Sequence, residues 1–185
     1  MRLAALALCL ATVAAPASGV SVAPDRVLAS VTGDFDEDGL PDRAVLVETD
    51  AGVDLMISAG VVAAPMRLAA IGAGMLWSGG AWGTLPALEI DEDGRLVATH
   101  QNEGIGRERW REVFTIGWHG GAFAVVRHAW ESYDSLEPEA DGLVCEADFL
   151  TGEASRNGAA LRVSAVPVPV SEWTERSPPA FCTPG

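Results

Sequence analysis

Residues 109–130 read RWREVFTIGWHGGAFAVVRHAW, and this stretch decides the fold class. It contains two runs, Arg109–Trp118 and Phe123–Trp130, that are rich in β-branched and aromatic residues. Side chains alternate between the two faces of a strand, so four large apolar residues of the first run would share one face. These residues are Trp110, Phe114, Ile116 and Trp118. Gly120 and Gly121 between the runs suit a tight turn, and the stretch therefore predicts an antiparallel β-hairpin.

Similar pairs of short β-type runs recur along the chain, each pair separated by turn residues. The pairs are Arg43–Thr49 with Val53–Ser58, Leu85–Ile90 with Arg95–His100, and Cys145–Leu150 with Ala159–Ser164. Helical periodicity is scarce. We therefore predict an all-β or strongly β-dominated fold, with antiparallel hairpins in one compact domain. Gly72–Gly83 and Ser132–Gly142 are predicted to be irregular loops because they are rich in turn residues.

Residues 1–17 have the pattern of a secretory signal peptide. Arg2 precedes the apolar run Leu3–Ala15, which is shorter than the roughly 20 residues that a membrane-spanning helix needs. Ala15-Pro16-Ala17 fits the small-x-small pattern of a cleavage site. We therefore expect an exported protein with no membrane span, in which residues 18–185 form a single β-rich domain.

The charge of the chain restricts its partners. Its formal net charge is −14 at pH 7, with 26 acidic residues against 12 Lys and Arg. A surface this acidic lacks the basic footprint that neutralises nucleic-acid phosphates. It favours cations or basic partners instead, and we expect a monomer that binds no nucleic acid.

Two cysteines remain after the predicted signal, Cys145 and Cys182. An even pair in an exported protein usually forms a disulfide, because the compartment is oxidising. The bond would pin the C-terminal tail, which contains Pro178-Pro179, to the domain. Neither cysteine has a nearby His or Cys at the spacing of a metal site.

The segment Gly33–Asp42 reads GDFDEDGLPD and has the chemistry of a calcium loop. Alternate residues from Asp34 onward are aspartates, glycine occupies the sixth position of the loop, and an aspartate returns at the ninth. Calcium takes six to eight oxygen ligands, and a glycine at the sixth position allows the bend that brings them together. The twelfth position is Val45 rather than glutamate, which argues against an EF-hand.

The loop more closely resembles the calcium loop of FG-GAP or VCBS repeats, in which D-x-D-x-D-G-x-x-D leads directly into an apolar strand. Here that strand is Arg43–Val47. The resemblance implies a ligand set of four aspartate side chains and one backbone carbonyl. The residues are Asp34, Asp36, Asp38 and Asp42, with the carbonyl of Leu40. The motif occurs once, so a full β-propeller is not expected, and we predict that the calcium ion is structural.

Other candidate sites are weaker. Glu89–Gly94 imitates half of the aspartate loop but lacks the closing acid, so a β-turn accounts for it. His100, His119 and His128 do not have the spacing of a metal-ligand triplet. Among the tryptophans, Trp77 and Trp82 in the glycine-rich segment are the better candidates for sugar stacking. Trp110 and Trp118 are expected to lie on a core face.

Three segments together resemble small exported bacterial proteins of unassigned function. The segments are Asn102–Trp110, Tyr133–Leu136 and Cys145–Asn157. The resemblance implies a periplasmic or secreted location in a bacterium and brings no activity with it. Our leading hypothesis is a calcium-stabilised, non-enzymatic protein that binds an extracytoplasmic protein or glycan. The alternatives are a hydrolase of cell-envelope polymers that uses an acidic pair, and an inhibitor of a secreted hydrolase.

Overall fold

Alternating apolar residues produce twelve β-strands in the computed structural model, which describes residues 22–137 and 142–183. The strands are β1 Val27–Gly33, β2 Asp42–Thr49, β3 Gly52–Ala59, β4 Arg67–Leu76, β5 Ala87–Ile90, β6 Leu96–Asn102, β7 Glu108–His119, β8 Ala122–Asp134, β9 Leu143–Asp148, β10 Glu153–Arg156, β11 Ala159–Arg162 and β12 Val168–Pro169. The only helical elements in these two ranges are short 3₁₀ turns. They are Pro24–Arg26, Gly80–Trp82, Val170–Glu172 and Ala180–Cys182. The all-β prediction is confirmed, and the predicted signal peptide lies outside the described residues.

The strands form two antiparallel sheets. The first has the order β1-β2-β3-β4, and the second has the order β11-β10-β9-β8-β7-β6-β5, with β12 pairing to β8. Neither sheet closes into a barrel or a propeller in the part of the chain that the structure describes. No helix in that part is long and apolar enough to cross a membrane.

One hydrophobic core joins the two sheets. Leu46, Leu55 and Ile57 of the first sheet are fully buried, as are Phe114 and Phe123 of the second to within a few per cent. They occupy inward positions of their strands, as the period of two requires. Burial of each such side chain stabilises the fold by about 1.5–3 kcal/mol. The inward face of the second sheet is therefore apolar, and a polar side chain buried there would need a hydrogen-bond partner.

Most of the predicted hairpins are present, and two details differ. The β2–β3, β5–β6 and β7–β8 hairpins pair as expected. The segment between Cys145–Leu150 and Ala159–Ser164 is itself a strand, so that β9 pairs with β10 rather than with β11. Gly72–Gly83 is only partly a loop, because β4 runs to Leu76. A Cβ at Gly72 would lie 3.0 Å from Val170, so the glycine allows the tail to pack against β4.

The C-terminal tail crosses the inward face of the second sheet. Trp173 is buried and packs edge-on against Phe114, with ring centroids 5.4 Å apart. Beyond it, the structure brings Cys145 and Cys182 to disulfide distance, with Cα atoms 5.3 Å apart. The tail is thus held at two points, and the residues between Trp173 and Cys182 form a wall beside the sheet.

Candidate functional site

The aspartate loop connects β1 to β2, and Asp42 anchors it from the first position of β2. Asp42 is fully buried. Its Oδ2 accepts hydrogen bonds from the backbone N–H groups of Phe35, at 2.8 Å, and Asp36, at 3.2 Å. Its Oδ1 accepts one from the N–H of Gly60, at 2.9 Å, just beyond β3. Asp42 therefore fastens the loop to the first sheet.

The structure brings three of the four predicted aspartate ligands together. One carboxylate oxygen from each of Asp34, Asp36 and Asp42 lies within 4.8 Å of the others. Asp38 lies outside this group, because its Oδ1 accepts the N–H of Leu40 at 2.8 Å. The carbonyl role of Leu40 stays a prediction. The arrangement can hold a cation on three carboxylates.

Electrostatic repulsion within the loop is visible at Asp36. Burial raises the pKa of its carboxyl group, and the nearby charge of Asp42 raises it further. A hydrogen bond from the N–H of Asp38 opposes the shift without cancelling it. A divalent cation between these carboxylates would remove the repulsion. Gly39 has φ 84°, a left-handed conformation that glycine adopts without strain, so the loop can turn back on itself here.

The second aspartate segment forms a turn. Oδ1 of Asp91 accepts the N–H groups of Asp93, at 3.0 Å, and Arg95, at 2.8 Å. Asp93 pairs with the guanidinium group of Arg95 at 3.0 Å. These contacts account for both acids as parts of the β5–β6 turn.

A second polar cluster, which the sequence did not predict, lies on the inward face of the second sheet. Glu112 of β7 lies between His100 of β6 and His128 of β8. Its Oε2 is 2.7 Å from Nε2 of His100, and its Oε1 is 2.7 Å from Nε2 of His128. His100 is paired directly with Glu112 in the β6–β7 register, and His128 is paired with Phe114, two residues along β7. We call these three residues the His–Glu–His cluster.

The hydrogen bonds fix the protonation pattern of the cluster. Nδ1 of His100 accepts the backbone N–H of Trp77 at 2.8 Å, so the ring proton is on Nε2 and is donated to Glu112. Burial alone raises the pKa of Glu112, but the hydrogen bonds from His100 and His128 outweigh it, and the net pKa lies below the ordinary carboxyl value. Glu112 is therefore a carboxylate at neutral pH.

The His–Glu–His cluster forms the floor of a cleft of about 1150 Å³ between the inward face of the second sheet, the end of β4 and the tail. Aromatic rings line it: Trp77, Trp110, Phe114, Trp130 and Trp173. Trp110 and Trp130 stack with ring centroids 5.2 Å apart, and Trp77 meets Trp110 edge-on at 5.6 Å. Thr174–Arg176, Pro178, Cys182 and Thr183 form the tail side of the cleft. Aromatic walls around a few polar groups are typical of small-ligand sites.

The outer face of the second sheet has a smaller groove of about 510 Å³. Its central charged groups are already paired, since Nε of Arg127 donates to Asp148 at 2.9 Å. None of the tryptophans that the structure describes lines this groove. The inward cleft is therefore the better candidate for a ligand site.

The structure distributes the predicted tryptophan candidates differently from the sequence expectations. Trp77 lines the cleft, as a ligand-binding residue would, whereas Trp82 lies outside it and is 60% exposed. Trp110 was expected in the core and instead lines the cleft. Trp118 is exposed rather than buried, because it lies next to the turn at the end of β7, whereas Ile116 on the same face is buried. The available signal was Glu112, an acid between Trp110 and Phe114 on the apolar face of its strand.

Comparisons with protein-family models, curated proteins and solved structures find no significant match to this chain.

Proposed function

We propose that this protein is an exported, calcium-stabilised β-domain that binds a ligand in its inward cleft and does not catalyse a reaction. The observation that carries the proposal is the carboxylate of Glu112, held by His100 and His128 on the floor of an aromatic cleft. A buried charge is costly unless it is paired, and a paired acid on the floor of an aromatic cleft is a candidate recognition group. The extracytoplasmic partner, protein or glycan, stays a prediction.

The state of Glu112 favours binding over hydrolysis. A glycosidase needs one carboxylic acid whose pKa is raised, so that it can protonate the leaving group, and a second carboxylate at a defined separation. The pKa of Glu112 is lowered, and both of its oxygens already accept hydrogen bonds. Glu112 therefore suits the role of a fixed anionic acceptor better than that of a general acid.

Export and calcium binding fit together in this proposal. The signal-like pattern of residues 1–17 and the Cys145–Cys182 pair both favour an oxidising compartment outside the cytoplasm. Extracellular calcium modules often bind at roughly 10⁻⁴–10⁻³ M, a range that suits a structural ion in such a compartment. The grouping of Asp34, Asp36 and Asp42 supports a site at the aspartate loop.

The calcium proposal predicts opposite effects of Asp36→Asn with and without the ion. Saturating calcium should stabilise the natural protein by about 2.7 kcal/mol at a hundredfold excess over the dissociation constant. Asp36→Asn should lose most of this gain, because it removes one charged ligand. In chelator the variant should be at least as stable as the natural protein, because the raised pKa of Asp36 means that its charge opposes folding. Urea unfolding in calcium and in chelator measures both effects.

Asp93→Asn is the matched control for this experiment. Asp93 lies in the other aspartate-glycine turn and pairs only with Arg95 among the described contacts. The control should keep the full calcium gain. Equal stability of the natural protein in calcium and in chelator would refute a structural calcium ion.

The cleft proposal predicts where small molecules bind. In NMR titrations with soluble ring-containing fragments, the indole N–H signals of Trp77, Trp110 and Trp130 should shift before those of Trp82. Trp110→Leu should weaken binding about tenfold, because loss of an aromatic contact costs on the order of 1 kcal/mol or more. Trp82→Leu is the matched control and should leave the affinity unchanged, since Trp82 lies outside the cleft. Fragment shifts confined to other surfaces would count against the proposed site.

A further inference from the structure

We infer that the inward cleft recognises a protonated primary amine carried on a small apolar ring or chain. This inference rests on the proposed function and names the chemical class of its ligand. Four kinds of observation lead to it: the charges on the cleft lining, the position of the aromatic rings, a buried acceptor that lacks a partner, and the charge of the whole chain.

Negative charge predominates on the lining of the cleft. Three carboxylates line it, those of Asp54, Glu112 and Glu175, against one guanidinium group, that of Arg176. Glu112 is the deepest of these charges, with a side chain only 12% exposed. His100 adds no positive charge while its Nδ1 accepts the N–H of Trp77. The floor of the cleft therefore presents a carboxylate that its histidine neighbours orient by hydrogen bonds, and a ligand cation would neutralise it.

The aromatic rings around this carboxylate suit a cation with an apolar body. An ammonium group close to a tryptophan face is attracted by the ring quadrupole. Trp110 and Trp130 stack beside Glu112, since Trp130 is its direct partner in the β7–β8 register. An amine on a ring or chain can place its charge at the carboxylate and its carbon atoms against the indoles. A ligand without the charge would gain only the apolar contact.

One buried acceptor on the same floor, Nδ1 of His128, lacks a hydrogen-bond partner among the described residues. The side chain of His128 is completely buried, and its Nε2 already faces Glu112, so Nδ1 is left as an acceptor when the ring is neutral. An unpaired buried polar atom destabilises the protein. A ligand N–H group that reached Nδ1 would supply the missing donor, whereas a carboxylate ligand would not.

The net charge of the chain also favours a cationic ligand, and it acts at longer range than the cleft lining. With a formal net charge of −14, the protein attracts cations and repels anions before contact is made. An anionic ligand would in addition have to approach Glu112 without a compensating cation on the floor of the cleft. The net charge of the chain and the charged residues that line the cleft therefore both favour a positively charged ligand.

Three probes of matched ring size test the inference: cyclohexylamine, cyclohexanol and cyclohexanecarboxylate, titrated into the full protein at neutral pH. Tryptophan fluorescence reports binding, since the probes do not absorb at its wavelengths. Cyclohexylamine should bind about tenfold or more tightly than cyclohexanol, and cyclohexanecarboxylate should bind least. Higher salt should narrow the difference, because part of it is electrostatic.

Glu112→Gln should remove the preference for the amine while cyclohexanol binding persists. Glu146→Gln is the matched control, since Glu146 lies on β9 and is exposed on the opposite face of the same sheet. If Glu112→Gln does not fold, the salt dependence and the three-probe comparison on the natural protein show whether the cleft prefers the amine. Equal binding of amine and alcohol would overturn the inference and leave the cleft as a ligand site. If none of the three probes binds, the inference is also overturned. The proposed function would then be tested separately, by the NMR shifts of the indole N–H signals of Trp77, Trp110 and Trp130 with ring-containing fragments.

Discussion

Asp42→Ala should lower the free energy of unfolding by about 3–5 kcal/mol when it is measured in chelator. Three backbone N–H groups, those of Phe35, Asp36 and Gly60, would lose their acceptor. A donor left without a partner costs about 1–3 kcal/mol when it is buried, as that of Phe35 is, and less when it is partly buried, as those of Asp36 and Gly60 are. Relief of the repulsion between Asp42 and Asp36 returns a part of this loss, which is why the sum stays below the maximum. Urea unfolding followed by tryptophan fluorescence measures the change.

The matched control for this variant is Asp38→Ala in the same loop. Asp38 is exposed, and its carboxylate accepts only the N–H of Leu40, so its loss should cost about 1 kcal/mol or less. The loss of stability in Asp42→Asn should be intermediate between those of Asp38→Ala and Asp42→Ala. The amide keeps one oxygen acceptor but replaces the second carboxylate oxygen with an NH₂ donor. Similar losses for Asp38→Ala and Asp42→Ala would show that Asp42 does not anchor the loop. Chelator throughout separates this anchoring role from calcium binding.

The loop illustrates how far sequence spacing can be taken. The alternation of aspartates with a glycine at the sixth position correctly identified three side chains that the fold brings together: Asp34, Asp36 and Asp42. The same spacing could not show that Oδ1 of Asp42 accepts the backbone N–H of Gly60, just beyond the end of β3. That contact depends on the pairing of β2 with β3, which a local motif does not contain. It also could not show that Asp38 turns toward Leu40.

The cleft was less accessible to sequence reasoning, for a related reason. The period of two correctly placed Trp110 and Phe114 on one face of β7 and so predicted the sheet. It did not distinguish a face that is packed throughout from one that opens into a cleft. The His–Glu–His cluster comes from three strands, and its geometry requires the register of β6, β7 and β8 together. An acidic residue on an otherwise apolar strand face contradicts the pattern expected for a core strand, and such exceptions are expected at functional sites.

Removal of the disulfide should cost about 4 kcal/mol and should weaken ligand binding in the cleft. The two cysteines are separated by 37 residues, and the chain-entropy estimate for closing such a loop gives this magnitude. The loss should not unfold the inward half of the tail, because Val170 and Trp173 remain buried against the sheets. The residues beyond Trp173 would be freed. Since these residues form one side of the cleft, affinity for cleft-binding fragments should fall together with stability.

The double variant Cys145→Ala/Cys182→Ala, compared with the natural protein in a thiol reductant, tests this coupling between tail and cleft. Alanine avoids a buried hydroxyl at Cys145, which is fully buried, and the variant should match the reduced natural protein to within about 1 kcal/mol. Hydrogen exchange should rise in residues 174–183 and remain slow in β7 and β8 if only the tail wall is released. Two results would contradict this coupling. One is a loss of stability without increased exchange in the tail, and the other is an unchanged fragment affinity after reduction. Either would mean that the tail does not contribute to ligand binding in the cleft. The pair at Cys145 and Cys182 holds the end of the tail beside β9, and Trp173 holds its inward half, so both contacts position the tail side of the cleft.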